Sequence, residues 1–173
     1  TLNTHTRYIH EGILTYIEKL TQTFNFDLTT AIMTCTGSEA NDIALRIAQI
    51  ITNAKGIIST NHTYHGNTAL VSQLSDTNPS SSFSLNTFKR IFAPDSYRLN
   101  GSKNLEEYSR SFAQDIERKI TKRTKAIMIV SVYGLPCEMD EIMAISNKYG
   151  IPIIEDNAEC FLSRYKGKMV GTF

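Results

Sequence analysis

The sequence lacks a strong excess of charge, a membrane-length apolar run and a cysteine framework. Its 173 residues include 18 Lys and Arg against 17 Asp and Glu, and the scattered cations argue against nucleic acid or an anionic membrane as a partner. No apolar run approaches the roughly 20 residues that span a bilayer, and the first residues lack the features of an export signal. Cys35, Cys137 and Cys160 are too widely spaced for a disulfide framework or a paired zinc motif. We therefore expect a soluble chain in a reducing cytoplasm.

Short apolar strands alternate with amphipathic helices along the chain. The predicted strands are 29–36, 56–61, 88–94, 126–132 and 151–155. The predicted helices are 6–24, 40–51, 105–119 and 140–149. We also expect a loop over 72–84 and a hairpin over 163–173 that turns at Lys166 and Gly167. Strands that are apolar on every residue are covered on both faces, so the sequence predicts a three-layer α/β/α fold with a mostly parallel sheet.

A glycine and small polar residues follow the first predicted strand in TGSEAN, Thr36 to Asn41. Backbone N–H groups and the helix dipole converge at such a turn, which favours a phosphate. Ordinary capping of the helix by Ser38, with Glu39 in the first turn, explains the same residues. The turn lies at the carboxyl end of a strand, where ligands bind in this class of fold, so its context favours a phosphate.

The next strand end carries an aromatic residue and two histidines in NHTYHGN, Asn61 to Asn67. Tyr64 is a candidate for stacking on a ring. His62 and His65 are three residues apart, which suits a metal only on a helix with a third ligand nearby, and no HExxH motif or acidic partner is visible. We therefore predict that the chain has no metal site.

Two carboxylates, Glu155 and Asp156, end the last predicted strand. A carboxylate held at a buried strand end needs a partner charge, which a cationic atom of a ligand would supply. The alternative is that both acids begin the next helix and compensate its dipole. The sequence leaves both interpretations open.

Taken together, the three strand ends resemble the cofactor cradle of fold type I enzymes, which bind pyridoxal 5′-phosphate (PLP). Residues 2–120, with LNTHTRYIHEGI, TCTGSEANDIALRIA, YHGNT and APDSYR, resemble class III aminotransferases. Residues 121–173, from TKRTKAIMIVSVYGLPCEMDEI onward, resemble the DegT/DnrJ/EryC1/StrS family of sugar aminotransferases. The resemblance implies one partial PLP-binding large domain, 1–173, in a fragment or chimera without the N-terminal segment and the C-terminal small domain.

The class III resemblance implies cofactor contacts around the first two strand ends. Gly37 and Ser38 would cradle the phosphate, Tyr64 would stack on the pyridine ring, and His65 would lie beside it. Since the cradle is shared by both families, the two parts of the chain could contribute to one site.

The DegT resemblance implies that Asp156 is the catalytic residue that pairs with the pyridine nitrogen and so stabilises the electron sink. Glu159 stands where that family often has Gln near the ring hydroxyl. In both families the Schiff-base lysine lies well downstream of the aspartate, beyond the position of Phe173. Lys166 and Lys168 follow Asp156 too closely and match the hairpin YKGK.

The implied function is that of a PLP-dependent aminotransferase, a cytoplasmic homodimer that moves an amino group from a small-molecule donor to a carbonyl acceptor. The acceptor could be a keto acid, an aldehyde or a keto sugar, because the two parts of the chain resemble families with different substrates. The alternative is a non-catalytic remnant that binds PLP or phosphate, or a fragment that contacts a partner. A nucleotide-binding α/β domain would also fit the glycine turn. The sequence, however, lacks the GxGxxG and GxxxxGK[ST] signatures of such domains.

Overall fold

The computed structural model describes residues 8–24, 28–75, 87–93 and 104–173. The chain divides into two compact units, residues 1–33 and residues 34–171. The first unit contains helix α1 (Glu11–Thr21), whose first turn is capped by the His10 ring, 3.1 Å from the Gly12 N–H. The helix is shorter than the predicted 6–24, of which residues 6 and 7 lie outside the described ranges. None of the helices in these ranges is long and apolar enough to cross a bilayer.

The second unit contains a four-stranded sheet in which all three strand pairings are parallel. The strands are β1 (Gly56–Thr60), β2 (Phe88–Ile91), β3 (Thr124–Val130) and β4 (Ile153–Asp156), in the order β2-β1-β3-β4. The helices are α2 (Gly37–Thr52), α3 (Leu105–Lys119) and α4 (Met139–Tyr149). A short hairpin, β5 (Arg164–Tyr165) and β6 (Lys168–Met169), follows. The predicted α/β fold is confirmed.

Two core clusters cover the two faces of the sheet. Ile57 packs with Leu45 of α2, whereas the next residue, Ile58, packs with Ile116 of α3 and Ile142 of α4. Successive side chains of a strand point to opposite faces, so neighbouring apolar residues of a strand enter different clusters. Burying each such side chain stabilises the fold by about 1.5–3 kcal/mol. This two-sided burial explains the continuous apolar runs in the strands, whereas Lys89 and Arg90 of the edge strand β2 are not buried.

Residues in the left-handed backbone conformation end two of the helices and form the turn of the hairpin. Asn53 and Gly150 end α2 and α4 in the left-handed conformation, with φ of 50° and 62°, and this is a common way to end a helix. Lys166 and Gly167 both have positive φ, as the tight turn of the predicted hairpin requires. The predicted loop over 72–84 falls mostly on residues outside the described ranges, and residues 71–73 form a single 3₁₀ turn.

The predicted strand over 29–36 is wrong. The structure describes no strand between residues 28 and 36, and Ile32 and Met33 are 58% and 54% exposed. A strand needs a neighbour to pair its backbone groups, and the four strands of the sheet pair only with one another. Thr34 and Cys35 hydrogen-bond instead to the start of α2, at the Thr36 carbonyl and the Glu39 carboxylate.

Candidate active site

The first turn of α2 leaves backbone N–H groups available. Thr36 caps the helix, because its hydroxyl accepts a hydrogen bond from the Glu39 N–H at 3.2 Å. The interpretation of Ser38 as the cap is therefore wrong. The N–H groups of Gly37 and Ser38 precede the first intrahelical bond, and no acceptor for them is found among the described residues. A Cβ added at Gly37 would meet nothing within 4 Å, so the backbone there is open.

The loop after β1 packs against this helix start through a glycine. Gly66 has a φ of 131°, and a Cβ there would lie 2.5 Å from the Ser38 Oγ and 2.7 Å from the Ser38 Cα. The Ser38 hydroxyl, free of a capping role, accepts a hydrogen bond from the Asn67 N–H at 3.0 Å. This close approach brings Tyr64, which is 58% exposed, to the same edge of the sheet as the start of α2.

Asp156 ends β4 and is 7% exposed. Its Oδ2 lies 2.8 Å from the Nδ1 of His65, which is also buried, and accepts a second hydrogen bond from the Asn41 amide at 2.9 Å. The Asn41 amide also donates to the His65 carbonyl at 2.8 Å. Three elements that are distant in sequence are thus joined around one carboxylate. No helix follows Asp156 in the described chain, so the interpretation of this acid as a helix-starting residue is wrong.

The pKa of the Asp156 carboxyl reflects opposing influences. Burial is the largest of them and raises the pKa. The hydrogen bond and the charge of His65, with further hydrogen bonds from Asn41 and the Ala158 N–H, together outweigh burial and lower the pKa below its ordinary value. The carboxyl is therefore ionised at neutral pH, in a site where a negative charge would otherwise be unfavourable.

These residues surround a cavity of about 490 Å³ at the carboxyl ends of β1 and β4. Its lining consists of the start of α2, the loop after β1 and the end of β4: Gly37, Ser38, Ala40, Asn41, Tyr64, His65, Gly66, Glu155, Asp156, Asn157 and Ala158. Two buried polar atoms of lining residues, the His65 Nε2 and the Asn157 Oδ1, have no hydrogen-bond partner in the part of the chain that the structure describes. The cavity therefore offers a negative charge, open helix N–H groups and unpaired polar atoms to a ligand.

Five of the six predicted contact residues line this cavity: Gly37, Ser38, Tyr64, His65 and Asp156. Glu159 does not line it. The Glu159 side chain instead accepts a hydrogen bond from the Tyr133 N–H at 3.3 Å, and its carbonyl accepts one from the Gly134 N–H at 3.0 Å. His62 is also absent from the lining. Among the described residues, no group of three or more His, Cys, Asp and Glu side chains is placed to hold a metal ion.

Sequence reasoning missed Asn41 and Asn157. Asn41 lies one turn after Ser38 on α2, and its amide links the His65 carbonyl to the Asp156 carboxylate. The available signal was a polar residue one turn into a largely apolar helix. Asn41 follows Ser38 by three positions, and side chains at this spacing lie on one face of a helix. Asn157 carries no such signal, because an Asn after a strand is an ordinary turn residue.

Comparison with known proteins finds sequence relatives for the second part of the chain. Residues 109–173 match the DegT/DnrJ/EryC1/StrS aminotransferase family. GDP-perosamine synthase from Escherichia coli O157:H7 is 56% identical over 59 residues, which are 34% of this chain and 16% of that protein. UDP-2-acetamido-2-deoxy-3-oxo-D-glucuronate aminotransferase from Pseudomonas aeruginosa is 56% identical over 55 residues, 32% of this chain and 15% of that protein. The chain thus spans about a sixth of the length of these curated relatives.

Solved structures resemble nearly the whole chain. A phospholyase from Arthrobacter, in complex with phosphoethanolamine, has a TM-score of 0.79 at 23% identity, covering 98% of this chain and 43% of that one. Taurine:2-oxoglutarate aminotransferase from Bifidobacterium kashiwanohense, in complex with PLP and glutamate, has a TM-score of 0.71 at 19% identity, covering 88% and 38%. An amine transaminase from an uncultivated Pseudomonas species, in a PLP-bound form, has a TM-score of 0.76 at 17% identity, covering 93% and 41%.

Sequence and structure therefore point to the same group of proteins from different parts of the chain. The fold neighbours support the class III resemblance of residues 2–120 at the level of the fold. The match of residues 109–173 confirms the DegT resemblance. Residues 109–173 are similar in sequence to the DegT/DnrJ/EryC1/StrS aminotransferase family, and the chain shares its α/β fold with solved transaminases.

Proposed function

We propose that this chain forms the cofactor cavity of a PLP-dependent aminotransferase. The observation that carries the proposal is the junction at the carboxyl ends of the strands. Open N–H groups of α2, the Tyr64 ring and a buried, ionised Asp156 line one cavity, although they lie far apart in sequence. Ligands of open α/β sheets bind at this edge.

The lining residues fit the two ends of PLP. At the phosphate end, the Gly37 and Ser38 N–H groups have no acceptor among the described residues, and no side chain fills the space over Gly37. At the ring end, the Asp156 carboxyl has a lowered pKa, which suits a partner that carries a proton. The unpaired His65 Nε2 and Asn157 Oδ1 leave polar capacity for a further ligand atom.

Bound PLP supplies an electron sink for the carbon atom that loses its amino group. The Gly37 and Ser38 N–H groups, with the dipole of α2, bind the phosphate. The Asp156 carboxylate holds a proton on the pyridine nitrogen, which is the condition for the ring to accept electrons. The Tyr64 ring, which lines the cavity, would stack on the pyridine ring.

His65 and Asn41 act through Asp156 and are positioning residues. Both donate to the same oxygen, Oδ2, at 2.8 and 2.9 Å. This arrangement fixes the side chain and keeps it charged, while Oδ1 accepts from the Ala158 N–H at 3.3 Å. A carboxylate that is already oriented and ionised loses little conformational freedom when it binds a cation.

The substrates that we propose are a small-molecule amino donor and a carbonyl acceptor. A nucleotide-linked keto sugar is the favoured acceptor, since relatives of the second part are named as sugar aminotransferases.

We further propose that residues 1–120 and 121–173 derive from two families and that the protein is a homodimer. The roles of Gly37, Ser38, Tyr64, His65 and Asp156 belong to this proposal. We do not assign Glu159 a cofactor contact, because its carboxylate faces the Tyr133 N–H.

Substitution of Asp156 tests the proposal directly. Asp156→Asn removes the charge at nearly constant volume, and a charge-assisted hydrogen bond is worth roughly 1.5–3 kcal/mol. We expect the PLP dissociation constant to rise about tenfold to hundredfold, at ~1.4 kcal/mol per decade. Fluorescence titration of the chain with PLP measures it. Asp140→Asn is the matched control, because Asp140 is an exposed acid that pairs with Lys166 in the first turn of α4.

Equal PLP affinities of the Asp156→Asn variant and the unmodified chain would sink the proposal. If the variant only lost stability, Asp156 would have a structural role. Thermal melts of both variants, run beside the titrations, separate these outcomes.

A further inference from the structure

A second cavity, of about 230 Å³, lies among the core residues that α3 and α4 share with the sheet. It shares no lining residue with the first cavity. Its apolar wall includes Phe112, Ile116, Ile129 and Ile142, and the side chain of Tyr108 adds a second ring. At about 30 Å³ per water, the volume corresponds to roughly eight water molecules. That is enough space for a small organic molecule.

Two carboxylates and the imidazole of His62 lie along this cavity. Glu138 and Glu141, at the start of α4, both line it, and no Lys or Arg is among its described lining residues. The Glu138 carboxylate accepts a hydrogen bond from the Tyr165 hydroxyl at 3.1 Å. The Oε2 of Glu141 is buried and has no hydrogen-bond partner in the described chain. A buried carboxylate oxygen without a donor is unfavourable, so a ligand that donates a hydrogen bond to this oxygen would be stabilised here.

Compensation of the α4 dipole does not explain Glu141 fully. An acid in the first turn is favourable, but Asp140 already provides one there and remains exposed to solvent. The dipole does not require a carboxylate oxygen that is buried without a donor next to an apolar cavity. The position of Glu141 is better explained by a ligand that brings the missing donor.

We propose that this cavity binds a small organic cation, a primary ammonium group attached to a short apolar or aromatic body. The ammonium group would donate hydrogen bonds to the Glu141 carboxylate. Its body would pack on the apolar wall, where the rings of Tyr108 and Phe112 also attract a cation. The site is separate from the PLP cavity and does not depend on the proposed aminotransferase function.

Calorimetric titration of the chain with benzylamine tests this assignment. We expect saturable binding to one site, and at least tenfold weaker binding of benzyl alcohol, which has the same shape without the charge. Glu141→Gln is expected to weaken benzylamine binding by about tenfold or more, since a charge-assisted hydrogen bond is lost. Glu107→Gln is the matched control, because Glu107 is an exposed acid in the first turn of α3, and it should bind benzylamine as the unmodified chain does.

Two further measurements locate the ligand and keep the test independent of folding. Glu141→Gln should unfold at an equal or higher denaturant concentration without ligand, since it removes a carboxylate whose Oε2 is buried without a donor, whereas a purely structural Glu141 would make the variant less stable. Ala113→Leu, which adds volume at the cavity wall, should abolish benzylamine binding, and Asp156→Asn should leave it unchanged. Absence of benzylamine binding, equal affinity for benzyl alcohol, or equal affinity of the Glu141→Gln variant would overturn the proposal.

Discussion

The carboxyl of Asp156 shows how a single residue couples stability to pH. Its pKa is lower in the folded chain than its ordinary value, because His65 and Asn41 outweigh the effect of burial. A group whose pKa falls on folding binds fewer protons in the folded state. The stability that it contributes is therefore complete above the unfolded pKa, roughly pH 4, and is lost as the pH falls through the folded value.

The lowered pKa of Asp156 predicts that the unmodified chain and the Asp156→Asn variant differ in their free energy of unfolding by an amount that depends on pH. At pH 7 we expect the variant to have the lower free energy of unfolding, because it lacks the charge that His65 and Asn41 stabilise. As the pH falls below about 4, Asp156 becomes protonated and the difference should shrink. Urea unfolding of both proteins at pH 7, 4.5 and 3 measures it. A difference that is constant over this range would contradict the coupling.

At the level of single residues, the sequence located Tyr64 and Asp156 because each follows a buried strand, and parallel strands end at one edge. It could not show that His65 pairs with Asp156, since the two lie 91 positions apart and only the order of strands brings them together. It also misassigned the cap of α2. Thr36 and Ser38 are both good capping residues, and the backbone turn that selects Thr36 is not visible in composition.

At the scale of secondary structure elements, Gly66 determines how closely the loop after β1 approaches α2. A side chain at Gly66 would collide with the backbone of Ser38, and its φ of 131° is unfavourable for any other residue. We expect Gly66→Ala to lower the free energy of unfolding by about 2 kcal/mol or more, from strain and displacement together. It should also weaken PLP binding, because Ser38 and Tyr64 move apart. Denaturant unfolding and PLP titration measure the two effects.

Gly150→Ala separates strain from collision. Gly150 also has a positive φ, 62°, but a Cβ there would meet nothing within 4 Å. We expect this variant to lose only about 1 kcal/mol from the left-handed backbone and to bind PLP normally. If Gly66→Ala proved no more destabilising than Gly150→Ala, the close packing of the loop on α2 would not matter for stability.

The elements themselves were predictable where two signals agreed. The strands β1 and β3 combine continuous apolar runs with turn residues at their ends, and α3 combines helical spacing with Asn104 as a cap, 2.8 Å from the Glu107 N–H. The exception is residues 29–36, where a glycine turn also follows the apolar run but the structure describes no strand. Whether such a run forms a strand depends on a free neighbouring strand, which is a property of the whole sheet.

At the scale of the whole molecule, no lysine is among the described residues that line the first cavity. The described lysines that follow Asp156 are engaged in the hairpin region, where Lys166 pairs with Asp140 and the Lys168 ammonium lies 4.3 Å from the centre of the Phe173 ring. No described residue lining the cavity can bond covalently to an aldehyde through an ε-amino group. The contacts that the chain offers to PLP are hydrogen bonds, charge and ring stacking.

We therefore predict that this 173-residue chain binds PLP without attaching it to one lysine. After the chain is mixed with PLP and reduced with borohydride, peptide mass mapping should find only low, scattered modification of lysines. Asp156→Asn should show the same scattered pattern, because reaction at exposed lysines does not require the cavity. A single lysine modified stoichiometrically, and unmodified in the Asp156→Asn variant, would show instead that a lysine reaches the bound cofactor. The cavity would then hold a covalent as well as a non-covalent contact.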